Sequence, residues 1–189
     1  MQEVYYVTGN PHKAEYFSKI MGMNIPQLSI DIDEIQSLNL CEIVEDKARR
    51  AYEVAKKPVI VEDTKLTFNA LGALPGPLIK WFLEELGADG LCKILDSYED
   101  RGAIAGAAIA YYDGVTMRVF ERELLGKISE KPHGEDGFGW NKVFIPEGSS
   151  VTLGEMDEET FKQYYRRVKA FDELKHFLKE KEGIDSIEE

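Results

Sequence analysis

Glu62-Asp63-Thr64 follows Val59-Ile60-Val61 with no polar break, so two carboxylates and a hydroxyl stand where an apolar run stops. Three β-branched aliphatics in a row read as a buried strand. The end of such a strand can hold a charged pair rigidly at the edge of a core. Neighbouring acids on a strand point to opposite faces, so at most one easily faces a given cleft. That one could hold a hard cation such as Mg²⁺, which takes carboxylate oxygen and keeps several waters. On this stretch alone, a solvated strand end opening a turn is the plainer alternative.

Two further groups could do chemistry. Thr8-Gly9-Asn10 follows the β-rich run Val4-Tyr5-Tyr6-Val7, and Pro11 suits the first helical position behind Asn10 as N-cap. A strand-to-helix turn from Thr8 to Lys13 would present backbone amides at the positive end of a helix dipole, an anion site. It lacks the GxxxxGK[ST] pattern of a Walker A loop, and Lys13 as a solvated first-turn lysine is the competing reading. The block Gly134-Glu135-Asp136-Gly137-Phe138-Gly139-Trp140-Asn141 sets two aromatics in a glycine-rich loop. Aromatics so placed can stack a nucleobase or plug the end of a core, and both options stand open.

The elements that must position these groups can be read from periodicity. Ala14, Phe17, Ile20 and Met21 recur at helical spacing behind Pro11. A second strand is expected over residues 28–32, leading to Asp33-Glu34-Ile35-Gln36. Leu40, Ile43, Val44, Ala48, Ala51, Val54 and Ala55 mark a long amphipathic helix with its charges, such as the Glu45–Arg49 pair, facing out. Pro58 stops it before the central strand. Leu66 and Phe68 alternate as another short strand, and Leu74-Pro75-Gly76-Pro77 is a turn. Ile79, Phe82, Leu83 and Leu86 form the next helix, ending near Gly87, with Trp81 read as packing. Residues 103–112 and 115–125 form an antiparallel pair around Asp113-Gly114. One last helix is expected from about Glu158 to Glu182, followed by a frayed acidic tail over 184–189. Strands and helices in this order predict an α/β, mixed α+β, architecture with a mixed sheet.

Composition narrows the classes. At 189 residues with 43% hydrophobic and 31% charged residues, the chain suits one soluble domain, possible in two lobes, with a substantial core. The net charge of −12 repels nucleic acid polymers, so a phosphate-bearing ligand must be small and held locally. Cys41 and Cys92 form no CxxC pair, which argues against a zinc site or a disulfide framework. No apolar stretch approaches membrane-spanning length and no signal-like segment opens the chain, so a cytoplasmic location is expected.

Several motifs occur together in one order: Thr8-Gly9-Asn10 with Lys13 and Glu15, Glu34-Ile35-Gln36, and Val61-Glu62-Asp63-Thr64. They continue with Asn69-Ala70-Leu71-Gly72, Leu74-Pro75-Gly76-Pro77, Ile79-Lys80-Trp81-Phe82-Leu83, Phe138-Gly139-Trp140, and Thr152 with Glu155-Met156. From Val4 to about Phe177 the chain resembles the inosine triphosphate pyrophosphatase family, also called Ham1-like. The resemblance implies a single domain, residues 1–183, of two lobes around an elongated curved mixed sheet, with a nucleotide-binding cleft between them. It implies Mg²⁺-dependent hydrolysis of the small-molecule triphosphates ITP, dITP and XTP to the monophosphate and pyrophosphate, usually by a homodimer. By the same resemblance Thr8, Gly9, Asn10 and Lys13 take the triphosphate, Glu34 and Asp63 the metal, and Asp63 acts as general base. Lys47 and Thr64 fall on substrate-contacting positions, and Phe138, Gly139 and Trp140 on the base-stacking loop. Splitting the α–β phosphoanhydride needs charge neutralisation and an oriented water, which suits these residue types.

The chain departs from the family pattern at the base-reading end. Asn141 stands where the family loop carries aspartate, and Lys142 where proline is common. In the last helix the family lysine falls on Phe161, its asparagine on Lys162, its serine on Tyr165 and its histidine on Arg166; Arg167 keeps the arginine. Arg166 and Arg167 donate and never accept, so the pair could still favour a 6-oxo over a 6-amino purine. Lys162 could stand in for the lost lysine from a position rotated by roughly 100°. Relaxed base selectivity is the alternative.

Overall fold

The computed structural model describes residues 3–135 and 139–183. Phe138, expected in the aromatic loop, and the acidic end over 184–189 lie outside the described residues. Strand β1, Tyr5–Val7, runs into helix α1, Pro11–Met21. The helix starts where the cap residues demand: Asn10 Oδ1 accepts from the amides of His12 at 3.0 Å and Lys13 at 3.3 Å. Pro11, with no amide hydrogen to leave unpaired, fills the first helical position. Strand β2 is Gln27–Leu28, helix α2 Leu40–Ala55 and strand β3 Val59–Phe68. The two-residue strand β4, Pro75–Gly76, precedes helix α3, Ile79–Ile94. Strands β5, Gly102–Tyr112, and β6, Met117–Ile128, lead to β7, Phe144–Pro146, and then to helices α4, Glu158–Val168, and α5, Phe171–Glu182.

The sheet is mixed, in the order β2-β1-β3-β5-β6-β7 with β4 on β3. Strand β1 is parallel to β2 and β3, with Tyr5 beside Val59, whereas β4 on β3 and β7 on β6 are antiparallel. The chain divides into two compact units. The first takes the chain up to Asp63, Ala108–Glu121 and the chain from Ala170; the second takes Thr64–Ala107 and Arg122–Lys169.

In the first unit, alternation along the strands sends side chains to two different helix layers. Tyr6 stacks on Phe17 of α1 with ring centroids 4.1 Å apart, and Phe171 of α5 meets Phe17 edge-on at 5.8 Å. Val7, Val59, Val61, Ala108 and Ala110 pack instead against Leu40, Val44, Ala48 and Ala51 of α2. Each fully buried valine or leucine there contributes about 1.5–3 kcal/mol of transfer free energy. That layer fixes α2 and, with it, any residue α2 presents. The turn between β5 and β6 is held by Asp113, whose Oδ1 accepts from the amides of Val115 at 2.9 Å and Thr116 at 2.6 Å. Lys181 of α5 then pairs with Asp113 Oδ2 at 3.1 Å. The core of the second unit is built on Leu66 and Phe68 of β3, Ile79, Leu91 and Leu95 around α3, and Val143 and Phe144 near β7.

Five sequence expectations change. The strand over 28–32 stops at Leu28, because β1 ends at Val7 and the Thr8 amide makes its last bond to Leu28 O at 3.1 Å. Glu62-Asp63-Thr64 is not a strand end: β3 runs unbroken to Phe68, and the Leu66/Phe68 alternation is the same strand continuing. Helix α3 does not end at Gly87 but kinks there, at φ 66° and ψ −177°, and resumes to Ile94. The single last helix is two, broken at Lys169 and Ala170, where Lys169 is extended at φ −119° and ψ 133°. Tyr164 and Val168 before the break pack into the second unit, whereas Phe171 and Phe177 after it pack into the first. Trp81, read as packing, is 52% exposed, with Lys80 Nζ 5.2 Å from its ring centroid. Among the described residues no helix is long and apolar enough to cross a membrane.

Candidate functional site

Where β1 gives way to α1, the chain makes a turn that hydrogen bonds lock on both sides. The Asn10 amide donates to Thr8 Oγ1 at 3.1 Å, and the Gln27 side-chain amide donates to Thr8 O at 2.8 Å. Because Asn10 Oδ1 already accepts from His12 and Lys13, those two backbone amides are engaged in the cap. The expectation of open amides along the turn is therefore narrowed. What the turn leaves to offer an anion is the Lys13 ammonium and the open backbone of Gly9, around which a Cβ would meet nothing within 4 Å.

This turn forms one wall of a hollow of about 280 Å³ within the first unit. Tyr6, Val7, Ile30 and Ile32 give it an apolar floor, and its charged lining is Lys13, Asp31, Glu34, Lys47 and Glu62. Lys47 is delivered by α2, between the buried Val44 and Ala48. Its Nζ lies 2.5 Å from Glu34 Oε1 and 3.3 Å from the backbone oxygen of Glu62. The Lys47 side chain is only 17% exposed, against 46% for Glu34, so the lysine is held and the carboxylate stays open to solvent. Two ammonium groups against three carboxylates leave the lining with a formal charge of −1.

Of the residues expected to act, Thr8, Gly9, Lys13, Glu34 and Lys47 share this hollow. Asp63 is absent from its lining and Glu62 is present. Along β3, alternation sets Asp63 on the face of Val59 and Val61, toward α2, which also delivers Lys47; Glu62 meets the hollow through its backbone oxygen, which accepts from Lys47 Nζ at 3.3 Å. Asp63 and Thr64 are both half-buried. Asp31 was not foreseen; its only signal is the apolar alternation of Ile30 and Ile32 around it. Gln27, which fastens Thr8, left no signal at all.

The residues expected to read the base belong to the second unit. Trp140 is half-buried against that unit's core, and its carbonyl accepts from the amides of Val143 at 2.9 Å and Phe144 at 3.2 Å. Gly139 is exposed at φ 64°, and the Asn141 carbonyl accepts from the Gly154 amide at 2.8 Å. Arg166 and Arg167 are exposed in the last turn of α4, with the Arg167 guanidinium 5.0 Å from the Tyr164 ring centroid. Lys162 is engaged within its own helix, 2.8 Å from Glu158 and 3.0 Å from Glu159. Hydrogen bonds donated to the carboxylates, first of Glu158 and then of Glu159, hold its ammonium well above the ordinary lysine range. Phe161 and Tyr165 stack at 5.7 Å beside it.

The donor set of the hollow suits an open, water-retaining cation site and not a closed one. Among the described residues no three His, Cys, Asp or Glu side chains converge on one point, as a closed structural site would require. Mg²⁺ is bound by one or two carboxylates while keeping waters and taking substrate phosphates, and the all-oxygen carboxylates of the hollow fit that description.

Known proteins resemble this chain over nearly its whole length. The model of the Ham1 family matches residues 4–177. Inosine triphosphate pyrophosphatase 1 of Trypanosoma cruzi is 41% identical over 180 residues, covering 93% of this chain and 92% of that protein. The inosine triphosphate pyrophosphatase of Yarrowia lipolytica is 42% identical over 183 residues, covering 94% and 96%. Among solved structures, a HAM1 protein from Coxiella burnetii has the same fold, with a TM-score of 0.84 at 22% identity over 95% of this chain and 100% of that one.

Proposed function

The chain belongs to the Ham1 family, and from that premise we propose that it hydrolyses the deaminated-purine triphosphates ITP, dITP and XTP to the monophosphate and pyrophosphate. The observation that carries this activity is the meeting of Lys13, Lys47 and Glu34 in one hollow beside the Thr8–Gly9–Asn10 turn. A lining with a formal charge of −1 is a poor partner for a bare triphosphate, and a divalent cation entering with it removes the conflict.

Glu34 and Asp63 would hold Mg²⁺, which when bound offsets charge on the phosphate oxygens and lowers the pKa of an attacking water. The chain's own residues do the rest. Lys13 and Lys47 bind non-bridging phosphate oxygens, with Gly9 admitting the close approach of the chain of phosphates. Thr64 donates its hydroxyl to the substrate. The Asp63 carboxylate takes a proton from the water that attacks the α-phosphorus, the bond from that phosphorus to the bridging oxygen breaks, and pyrophosphate leaves. At the other end of the substrate Trp140 stacks on the purine, Asn141 adds a hydrogen bond, and Arg166 and Arg167 donate toward the 6-oxo group. A 6-amino purine offers these arginines no acceptor at that position.

The working form is a homodimer in the cytoplasm, acting on small nucleotides and not on nucleic acid polymers. Cys41 and Cys92, both thiols, suit a reducing compartment. Pyrophosphate release measured across ITP, dITP, XTP, GTP and ATP tests the activity: the first three exceed ATP, and a flat profile defeats the selectivity. Asp63→Asn and Glu62→Gln separate the two carboxylates of β3. The former lowers turnover by roughly 10²–10⁴-fold in a folded protein; the reverse ranking would move the base to Glu62.

A further inference from the structure

Thr152 and Glu155 take no part in the reaction above, yet they tie down the segment that carries Trp140. Leu153–Glu155 is a single 3-10 turn closed by a reciprocal box: the Thr152 amide donates to Glu155 Oε2 at 2.8 Å, and the Glu155 amide donates to the Thr152 side chain. Thr152 is completely buried, and its hydroxyl reaches the His133 carbonyl oxygen at 3.1 Å. The next residues of the same turn grip the other arm, the Gly154 amide donating to the Asn141 carbonyl at 2.8 Å. The arms are also tied to each other, the His133 amide donating to the Lys142 carbonyl at 2.8 Å. Gly134, at φ +91°, lies so close that a Cβ would stand 2.1 Å from the Gly154 oxygen. Only glycine permits that approach. Both arms of the aromatic segment thus rest on one short turn, itself held by two side chains.

We propose that the Thr152–Glu155 box is a positioning device for base recognition, fixing the arms at His133–Gly134 and Asn141–Lys142 so that Trp140 and Asn141 meet the purine in one geometry. The assignment rests on the nucleotide pyrophosphatase function proposed above. A contact made by a pre-ordered group avoids the entropy of ordering it on binding. Loosening the turn therefore weakens recognition of the base while the phosphate-holding residues of the first unit keep their own hydrogen bonds.

The test compares Glu155→Ala and Gly134→Ala, each in a folded protein, with the conservative pair Thr152→Ser and Glu155→Gln, both of which retain a capping box. Three quantities are read: kcat and KM for ITP and ATP, the inhibition constant of inorganic tripolyphosphate, and the quenching of Trp140 fluorescence by ITP in a Trp81→Phe background. Glu155→Ala and Gly134→Ala raise KM for ITP roughly tenfold, as expected for one lost hydrogen bond. They also narrow the ITP/ATP ratio and blunt the quenching, and they leave tripolyphosphate inhibition within about twofold of wild type. The conservative variants match wild type in all three. Unchanged KM in Glu155→Ala and Gly134→Ala, or an equal loss against tripolyphosphate, overturns the assignment alone. Absence of ITP turnover in the wild type overturns the function and the assignment with it.

Discussion

Replacing Lys47 with methionine removes one charge from the hollow while keeping most of the side chain's length. The structure sets two separate magnitudes for this change. Lys47 loses its 2.5 Å contact to Glu34 and its 3.3 Å contact to the Glu62 carbonyl. Glu34 is 46% exposed, so water can take over its solvation and the pair contributes only about 0–1 kcal/mol to folding. The methionine stem keeps its place beside Val44 and Ala48, and the urea midpoint should move little. The formal charge of the lining falls from −1 to −2, and a phosphate oxygen loses a charge-assisted hydrogen bond. Such a bond is typically about 1.5–3 kcal/mol, which is roughly a 10- to 150-fold loss of kcat/KM. The assay is pyrophosphate release from ITP at low substrate, run beside urea unfolding of both proteins. A folded Lys47→Met protein whose kcat/KM stays within about twofold of wild type removes this lysine from phosphate binding. A loss of more than about 3 kcal/mol in folding stability would instead make it structural.

Asn10→Ala should destabilise the protein by about 1 kcal/mol, because the amides of His12 and Lys13 lose their acceptor, and urea unfolding checks this. Asp113 is stabilised as the anion: burial opposes ionisation, but the Thr116 and Val115 amides and Lys181 outweigh it, so its carboxyl lies below the usual aspartate range. A depressed folded pKa contributes stability above the unfolded value of about 3.9, and this is lost as pH falls through the folded value. Urea midpoints of wild type and Asp113→Asn should therefore differ at pH 7 and converge in acid below that value; a constant gap would refute the linkage. Gly106→Ala puts a Cβ 2.7 Å from Lys65 Cε, whose ammonium pairs with Glu123 at 2.6 Å. Since the obstacle is a flexible stem, the cost should be modest, about 0.5–1.5 kcal/mol by urea unfolding.

Much of the first unit can be read from residue order because its signals are local. Asn10 and Pro11 define the start of α1, and the spacing from Leu40 to Ala55 matches α2 from end to end. The two lysines of the hollow follow, since Lys13 lies in the first turn of α1 and Lys47 two turns into α2. What escaped is set by partners distant in sequence. Nothing in Lys169-Ala170 breaks a helix by propensity; the break reflects Val168 and Phe171 packing into different units. Nothing in Glu62-Asp63 says which carboxylate faces α2 until Val59 and Val61 are known to pack on that helix. Gly87 looks like a stop, yet Leu91 and Leu95 are buried enough to draw the helix onward past the kink.

The central claim is cleavage at the α–β anhydride of a purine triphosphate that carries a 6-oxo group, and phosphorus NMR of one reaction tests it. Equal ITP and ATP are incubated with the protein and Mg²⁺ in a single tube. The account predicts that IMP and pyrophosphate appear together while ATP persists. IDP with orthophosphate, or AMP formed as fast as IMP, would contradict it.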